Sequence, residues 1–166
     1  MTSDPVAPLT ISAVTPADVP TIVGLIKALA EYERLSHEVV ADDASIHRSL
    51  FGDRPVAEAV IARVGHTTVG FALFFHNYST FLGRPGIYLE DLFVLPEYRG
   101  HGYGRALLSH LARIAVERQC GRMEWSVLKW NTPAIGFYES LGARPMDEWT
   151  VYRLTGEALA RTASQA

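Results

Sequence analysis

The sequence predicts a mixed α/β domain, and three observations lead there. Strand-like and helix-like stretches alternate along the chain in the order β-α-α-β-β-β-α-β-α-β. The 166 residues, 48% of them hydrophobic, suffice to bury one core. The pattern shows no repeats, low-complexity stretches or linkers, so a single domain over residues 9–166 is expected, with a loose, flexible tail at residues 1–8 ahead of it.

Each element has a local reason. "LTISAV" (9–14) reads as a short strand. In "TPADVPTIVGLIKALAEYERL" (15–35), Thr15 is the expected cap, Pro16 falls in the first turn, and Ile22, Leu25, Ile26 and Leu29 recur at helical spacing. A shorter helix is expected in "DDASIHRSLFG" (42–52), stopped by Gly52. Residues 55–79 hold two β-rich runs around Gly65 and read as a hairpin. The loop "TFLGRPG" (80–86) leads into a strand over 87–95, closed by Pro96. Leu107, Leu108, Leu111, Ile114 and Ala115 then form one apolar helix face that ends near Gly121. "RMEWSVL" (122–128) alternates as a strand does. "NTPAIGFYESLGA" (131–143) is a short helix with Asn131 or Thr132 as cap and Gly142 just past its end, and "EWTVYRLTG" (148–156) is expected as the last strand.

Composition removes several classes of function. A net charge of −3 lacks the basic footprint of nucleic-acid binding, so the expected partner is small, and a cation is favoured. Cys120 is the only cysteine, which precludes an internal disulfide and fits a reducing compartment. The opening "MTSDPVAP" has no leader pattern, and the longest strongly apolar run, "VGFALFF" (69–75), is too short for a bilayer. A cytoplasmic protein without a membrane partner is expected. "HEVVA" (37–41) lacks the second histidine of a zinc helix and the six histidines are dispersed, so no metal is expected. No Gly-x-Ser-x-Gly supports a serine nucleophile.

The richest local signal is "YRGHGYGRALL" (98–108), where three glycines alternate between a strand and a helix. The spacing Gly100-x-Gly102-x-Gly104 in mid-chain does not match a dinucleotide fingerprint, and Gly104-Arg105-Ala106 is not the end of a P-loop. What survives is the physics common to both: backbone N–H groups at a helix N-terminus that an anion approaches closely because side chains are missing. Such a turn suits a diphosphate.

Arg99-x-x-Gly102-x-Gly104, after "LFVLPEYRG" and before an amphipathic helix, resembles the acetyl-CoA pyrophosphate loop of the GNAT acetyltransferase superfamily. "VLKWNTPAIGFYESLGA" (127–143) resembles its later segment, and "LIKALAEYE" (25–33) with "YLEDLFVLPEYRGHGYG" (88–104) is similar to the diamine acetyltransferases, the spermidine/spermine N-acetyltransferase-like branch. The resemblance runs from about Ile11 to Leu154. It implies a mostly antiparallel central sheet flanked by helices, with a splayed cleft for acetyl-CoA. It also implies a homodimer. Residues Arg99, Gly100, His101, Gly102, Tyr103, Gly104 and Arg105 would cradle the pyrophosphate, Leu92, Phe93 and Val94 would offer main-chain contacts to the acetyl and pantetheine part, and Asn131, Pro133 and Ala134 would contact the cofactor arm.

Chemistry then assigns roles. An alkyl amine with a pKa of roughly 10 is protonated at neutral pH, so acetyl transfer needs a proton acceptor. Glu90 is the candidate base: a carboxylate in an otherwise apolar strand is costly unless paired or used. Alternation places it on the side of Tyr88, Leu92 and Val94, opposite Asp91, unless a bulge intervenes. Tyr138, matching the family's tyrosine, is the candidate general acid for the leaving thiolate, although its neighbours Ile135, Phe137 and Leu141 also suit a core aromatic. The acids Glu31, Glu33, Glu38, Asp42 and Asp43 read either as a solvated capping cluster or as cation binders. The resemblance puts Tyr32 and Glu33 in the amine pocket, and Glu148 adds a carboxylate. The loop "HNYSTFLGRPG" (76–86) lacks the acid that the diamine branch tends to carry, which weakens spermidine or spermine as the acceptor and leaves lysine-like or thialysine-like amines, or an amine drug, open. A non-catalytic CoA-binding module and a protein amine acceptor stand as alternatives; the pair Glu90 and Tyr138 favours the enzyme.

Overall fold

The computed structural model describes residues 7–165. The expected tail therefore lies mostly outside the described residues. The chain forms two compact units, one running to Ser126 and one from Val127 onward.

The first unit is a five-stranded sheet with the order β1-β2-β3-β4-β5. β1 is Leu9–Ala13, β2 Glu58–Val64, β3 Thr67–Ser79, β4 Arg84–Val94 and β5 Met123–Trp125. Neighbours from β1 to β4 pair antiparallel, and only β5 runs parallel to β4. The sheet is mixed and mostly antiparallel, flanked by the helices α1 (Val19–Tyr32), α2 (Asp43–Phe51) and α3 (Tyr103–Glu117). Helix entry is corrected in place: Thr15 and Pro16 open a short 3-10 turn, where Thr15 N–H donates to Asp18 Oδ2 at 2.8 Å, and Asp18 is the residue that precedes α1. Asp42 caps α2 by accepting from Ser45 N–H at 2.8 Å.

Both faces of the sheet are covered. Ile22 and Leu25 of α1 pack with Ile61, Phe71 and Phe93 of β2, β3 and β4 in a fully buried cluster. Leu107, Leu108 and Leu111 of α3 are buried as well, on the opposite face, where α3 contributes Gly104 beside Leu92 and Val94. β5 pairs with β4 only at Ile87–Leu89, so the ladder between them stops just before Glu90.

The second unit holds α4 (Thr132–Ser140) and α5 (Gly156–Ala163). Gly142 follows α4 at φ +88°, and Ala143 N–H returns to Tyr138 C=O at 3.2 Å, a left-handed stop as its position predicts. Two expectations are corrected. The strand over 122–128 shrinks to Met123–Trp125. The last strand over 148–156 is not formed: Trp149, Val151 and Tyr152 are 73%, 84% and 93% exposed, and the chain passes into α5 at Gly156. Alternation and β-branched residues make a segment fit for a sheet, but a strand exists only through a ladder partner. Ala158, Ala160 and Ala163 favour helix at the end instead.

Candidate active site

The site begins with a fault in the pairing of β3 and β4. Leu73 stands opposite Asp91, but the next residue, Phe74, stands opposite Leu89. Glu90 is left over. It is the extra residue of a β-bulge, so Glu90 and Asp91 together oppose the single residue Leu73.

The bulge changes which side chains share a face. Phe93 and Leu73 belong to the cluster under α1, and alternation carries Asp91 to that face with them. Tyr88 lies there too, since its ring stacks on its cross-strand partner Phe75 at 5.2 Å. Leu92 and Val94 face α3, next to Gly104. Uninterrupted alternation groups Tyr88 with Leu92 and Val94; the extra residue breaks that grouping.

Around the bulge the electrostatics are unusual. Glu90 is exposed and Asp91 half-buried. Burial, the charge of Glu90 and the charge of Glu33 together push the Asp91 carboxyl up to about 6. Glu33, which closes α1, has its own carboxyl pushed up by burial. Three carboxylates from two elements thus meet at one place. Of the acidic cluster after α1, Glu33 takes part in this field, whereas Asp42 caps α2 and Glu38 lies 3.3 Å from His37. Tyr32 lies against Phe93 with ring centroids 6.4 Å apart, and the Arg99 guanidinium sits 4.3 Å above the Tyr32 ring while its Nε–H donates to Val94 C=O at 3.0 Å. Arg99 thereby ties the end of β4 to the end of α1. Tyr88 and Ser126 share a hydroxyl hydrogen bond of 2.8 Å at the β4–β5 edge.

The glycine turn follows directly. After a 3-10 turn at Pro96–Tyr98, Gly100 and Gly102 adopt φ of +81° and +79°, and Gly102 caps α3. His101 Nδ1–H reaches the carbonyls of Tyr98 and Arg99 at 3.2 and 3.0 Å, and its ring stacks on Tyr103. The first helical bond runs from Ala106 N–H to Gly102 C=O. The amides of Tyr103 and Gly104 therefore precede that bond. A Cβ at Gly100 or Gly102 would meet nothing within 4 Å, so these two glycines serve their left-handed backbone. Gly104 is different: its backbone is ordinary, and a Cβ would make ordinary contact at 3.9 Å with Leu92 and Val94.

The second unit carries the remaining expected residues. Asn131, not Thr132, caps α4, its Oδ1 accepting from Ala134 N–H at 3.4 Å, with Pro133 in the first turn. Tyr138 is half-buried on α4, 5.3 Å from the Phe137 ring. Glu148 lies in a turn closed by Trp149 N–H to Met146 C=O at 3.2 Å, exposed, rather than in a strand.

Asp91 keeps the face of Phe93 that alternation gives it, while the bulge takes Tyr88 out of its grouping with Leu92 and Val94 and sets Glu90 beside Asp91. The adjacent pair Glu90-Asp91 inside an apolar strand was the only trace of this arrangement in the sequence. No helix among the described residues is long and apolar enough to cross a membrane, and no group of acids, histidines and cysteine among them suits a metal.

A five-stranded, mostly antiparallel sheet with a bulged acidic pair and a glycine turn at the head of α3 defines an acetyltransferase fold. The chain belongs to the acetyltransferase (GNAT) family, whose model matches residues 23–143. Among its relatives, the thialysine N-epsilon-acetyltransferase of Bos taurus is 36% identical, over 89% of this chain and 93% of that one. The L-ornithine N5-acetyltransferase NATA1 of Arabidopsis thaliana is 34% identical, over 87% of this chain and 83% of that one. A solved integron cassette protein from the mobile metagenome of V. cholerae superposes with a TM-score of 0.79 at 27% identity, covering 95% of this chain and 98% of that one. The chain is an enzyme of this family.

The glycines separate by substitution. Gly102→Ala should cost about 1–2 kcal/mol, because alanine pays for a left-handed backbone. Gly104→Ala should gain about 0.5–1 kcal/mol, because it removes a glycine from a helix without a clash. Urea denaturation of the two variants checks the opposite signs.

Proposed function

We propose that this chain transfers acetyl from acetyl-CoA to the primary amine of a small molecule, by direct attack of the amine on the thioester. The observation that carries the reading is the bulge, which gathers Glu90 and Asp91 beside Glu33 in a member of an acetyltransferase family. An alkylammonium is drawn to such a field and must lose a proton there before it becomes a nucleophile.

In this reading Glu90, exposed at the bulge, holds the ammonium and takes its proton directly or through a water. A main-chain N–H in Leu92–Val94 stabilises the charge that grows on the thioester oxygen. Support comes from the pairing: this stretch of β4 lies beyond the residues that pair with β5. Tyr138 donates a proton to the departing thiolate. The turn from Arg99 to Arg105 receives the diphosphate at the head of α3; support comes from its two left-handed glycines and from amides that precede the helical ladder. Asn131, Pro133 and Ala134 line the cofactor arm. Tyr32, Glu33 and Glu148 contact the amine, and the residues from 9 to 166 work as one domain; the family match runs from 23 to 143 without a break.

The acceptor we favour is an amine that ends a lysine-like chain. The relatives named for thialysine and ornithine support it, and so does residues 76–86 having no acid that would hold a second distant cation. We read the chain as a cytoplasmic homodimer; the apolar, exposed Trp149, Val151 and Tyr152 support a second copy as their cover.

A panel of lysine-like amino acids, diamines and polyamines, assayed for thiol release from acetyl-CoA, should show turnover with the lysine-like members first. No turnover with any amine defeats the reading. Tyr138→Phe should lower kcat about a hundredfold while the acetyl-CoA affinity stays within a small factor; wild-type turnover would return Tyr138 to a packing role. Light scattering should give twice the chain mass, and a monomeric mass would refute the dimer.

A further inference from the structure

Resting on the amine-acetylation reading above, we infer that Arg99 couples the two substrates. Its main chain belongs to the turn that receives the diphosphate, and its side chain holds Tyr32 at the end of α1. A bound cofactor therefore tightens the hold on the amine, and a bound amine tightens the hold on the cofactor by the same factor. Arg99 is a positioning residue that acts through Tyr32.

The two halves of Arg99 serve opposite faces of the sheet. Leu95 N–H donates to Val69 C=O at 2.9 Å, which keeps the chain on β3, and Arg99 N–H donates to Pro96 C=O at 3.2 Å, which ends the 3-10 turn. From there the main chain runs through the left-handed Gly100 and Gly102 to the head of α3, on the face of Leu92 and Val94. The side chain goes the other way. Its Nε–H donates to Val94 C=O at 3.0 Å, and its guanidinium lies 4.3 Å from the Tyr32 ring centroid and 5.5 Å from that of Phe93, on the face of α1. A guanidinium donates in its plane and stacks with its face at once, which an ammonium does not do. Phe93 is fixed in the core, whereas Tyr32 is half-buried, so Tyr32 is the ring that this contact holds or releases.

The end of α1 has reason to depend on such a contact. Tyr32 is the last residue of the helix and Glu33 its cap. Arg34 follows at φ +62°, a backbone that costs a residue with a Cβ, and Leu35 N–H turns back to Ala30 C=O at 2.8 Å. Helix ends open more readily than their middles, so what leans on Tyr32 sets how long Tyr32 and Glu33 stay in place. The glycine turn carries the complementary freedom, because glycine loses the most entropy on ordering. An anion held by the amides at the head of α3 orders the turn and fixes the Arg99 backbone. A side chain on a fixed backbone stacks on Tyr32 at a lower entropic cost, and the amine then meets residues already ordered.

Hydrogen exchange of the full chain, with and without coenzyme A, reads the coupling apart from turnover. In wild type, coenzyme A should slow exchange across residues 99–106 and also at the amides of Glu33 and Leu35, which bond to the carbonyls of Leu29 and Ala30. In Arg99→Ala the slowing should remain at 99–106 and vanish at the end of α1. Tyr32→Phe keeps the ring face and should keep the wild-type pattern, whereas Tyr32→Leu should match Arg99→Ala.

Calorimetric titration of the best amine, with and without saturating coenzyme A, measures the coupling itself, since coenzyme A carries no acetyl group to transfer. Coenzyme A should tighten amine binding to wild type about fivefold, the lower end of the usual range for linked sites, and should leave it unchanged in Arg99→Ala. In steady state Arg99→Ala should raise the amine KM about fivefold with kcat within about twofold of wild type. Slowed exchange at 99–106 with none at Glu33 and Leu35 in wild type would overturn the coupling and leave the enzyme reading intact. So would slowing at the end of α1 that survives Arg99→Ala. A large loss of coenzyme A affinity in Arg99→Ala, with the amine coupling retained, would place the guanidinium on the diphosphate and overturn it too. Coenzyme A that slows exchange in neither segment would instead overturn the acetyl-CoA reading on which the coupling rests.

Discussion

The structure turns on one surplus residue in β4. A sheet admits two residues against one only by bending the longer strand and interrupting its alternation. Here the interruption falls at Glu90, opposite Leu73 and just past the last residue that pairs with β5. From that point β4 leaves its parallel neighbour, presents two acids together, and ends at Val94 against Gly104 in the first turn of α3. The glycine turn, the acidic pair and the departure from β5 all lie within the fifteen residues from Glu90 to Gly104.

Holding such a pair is expensive, and the rest of the first unit supplies the means. A half-buried carboxylate beside another carries both a desolvation and a repulsion cost. The cluster of Ile22, Leu25, Ile61, Phe71 and Phe93 on one face, and the buried leucines of α3 on the other, fix β3 and β4 in the register that creates the bulge. Phe93 is two residues from Asp91 and belongs to that cluster, so the site and the core share a strand. Arg99 adds a clasp, from the Tyr32 ring to the Val94 carbonyl. Such placement of strain-bearing groups on rigid elements is what an active site needs.

What the sequence disclosed and what it withheld divide along physical lines. Helix caps, the left-handed glycines, the β2–β3 hairpin and the apolar faces of α1 and α3 are local, so Thr15, Gly142, Ile22 and Leu111 announce them. Pairing is not local. The bulge depends on how β3 meets β4, which single-strand alternation cannot locate, so the sequence parts Glu90 from Asp91 unless a bulge intervenes, and only the pairing supplies it. The same limit explains the last strand: "EWTVYRL" has the pattern of a strand and lacks the ladder. Among the candidate site residues, the turn at Gly100 and Gly102 was legible because a left-handed backbone favours glycine. The side-chain partners of Arg99 and His101, on Tyr32 and on the carbonyls of Tyr98 and Arg99, were not.

The proposed chemistry depends on a carboxylate that takes the proton of an ammonium at the bulge. The most direct measurement is the pH dependence of kcat/KM for Glu90→Gln beside wild type, with the best lysine-like amine as acceptor. The substitution keeps the shape of the side chain and removes its charge and basicity. The acidic limb of the variant should move up toward the amine's own pKa, with a higher KM for the amine and an unchanged affinity for acetyl-CoA. A variant profile that overlays the wild type would contradict it.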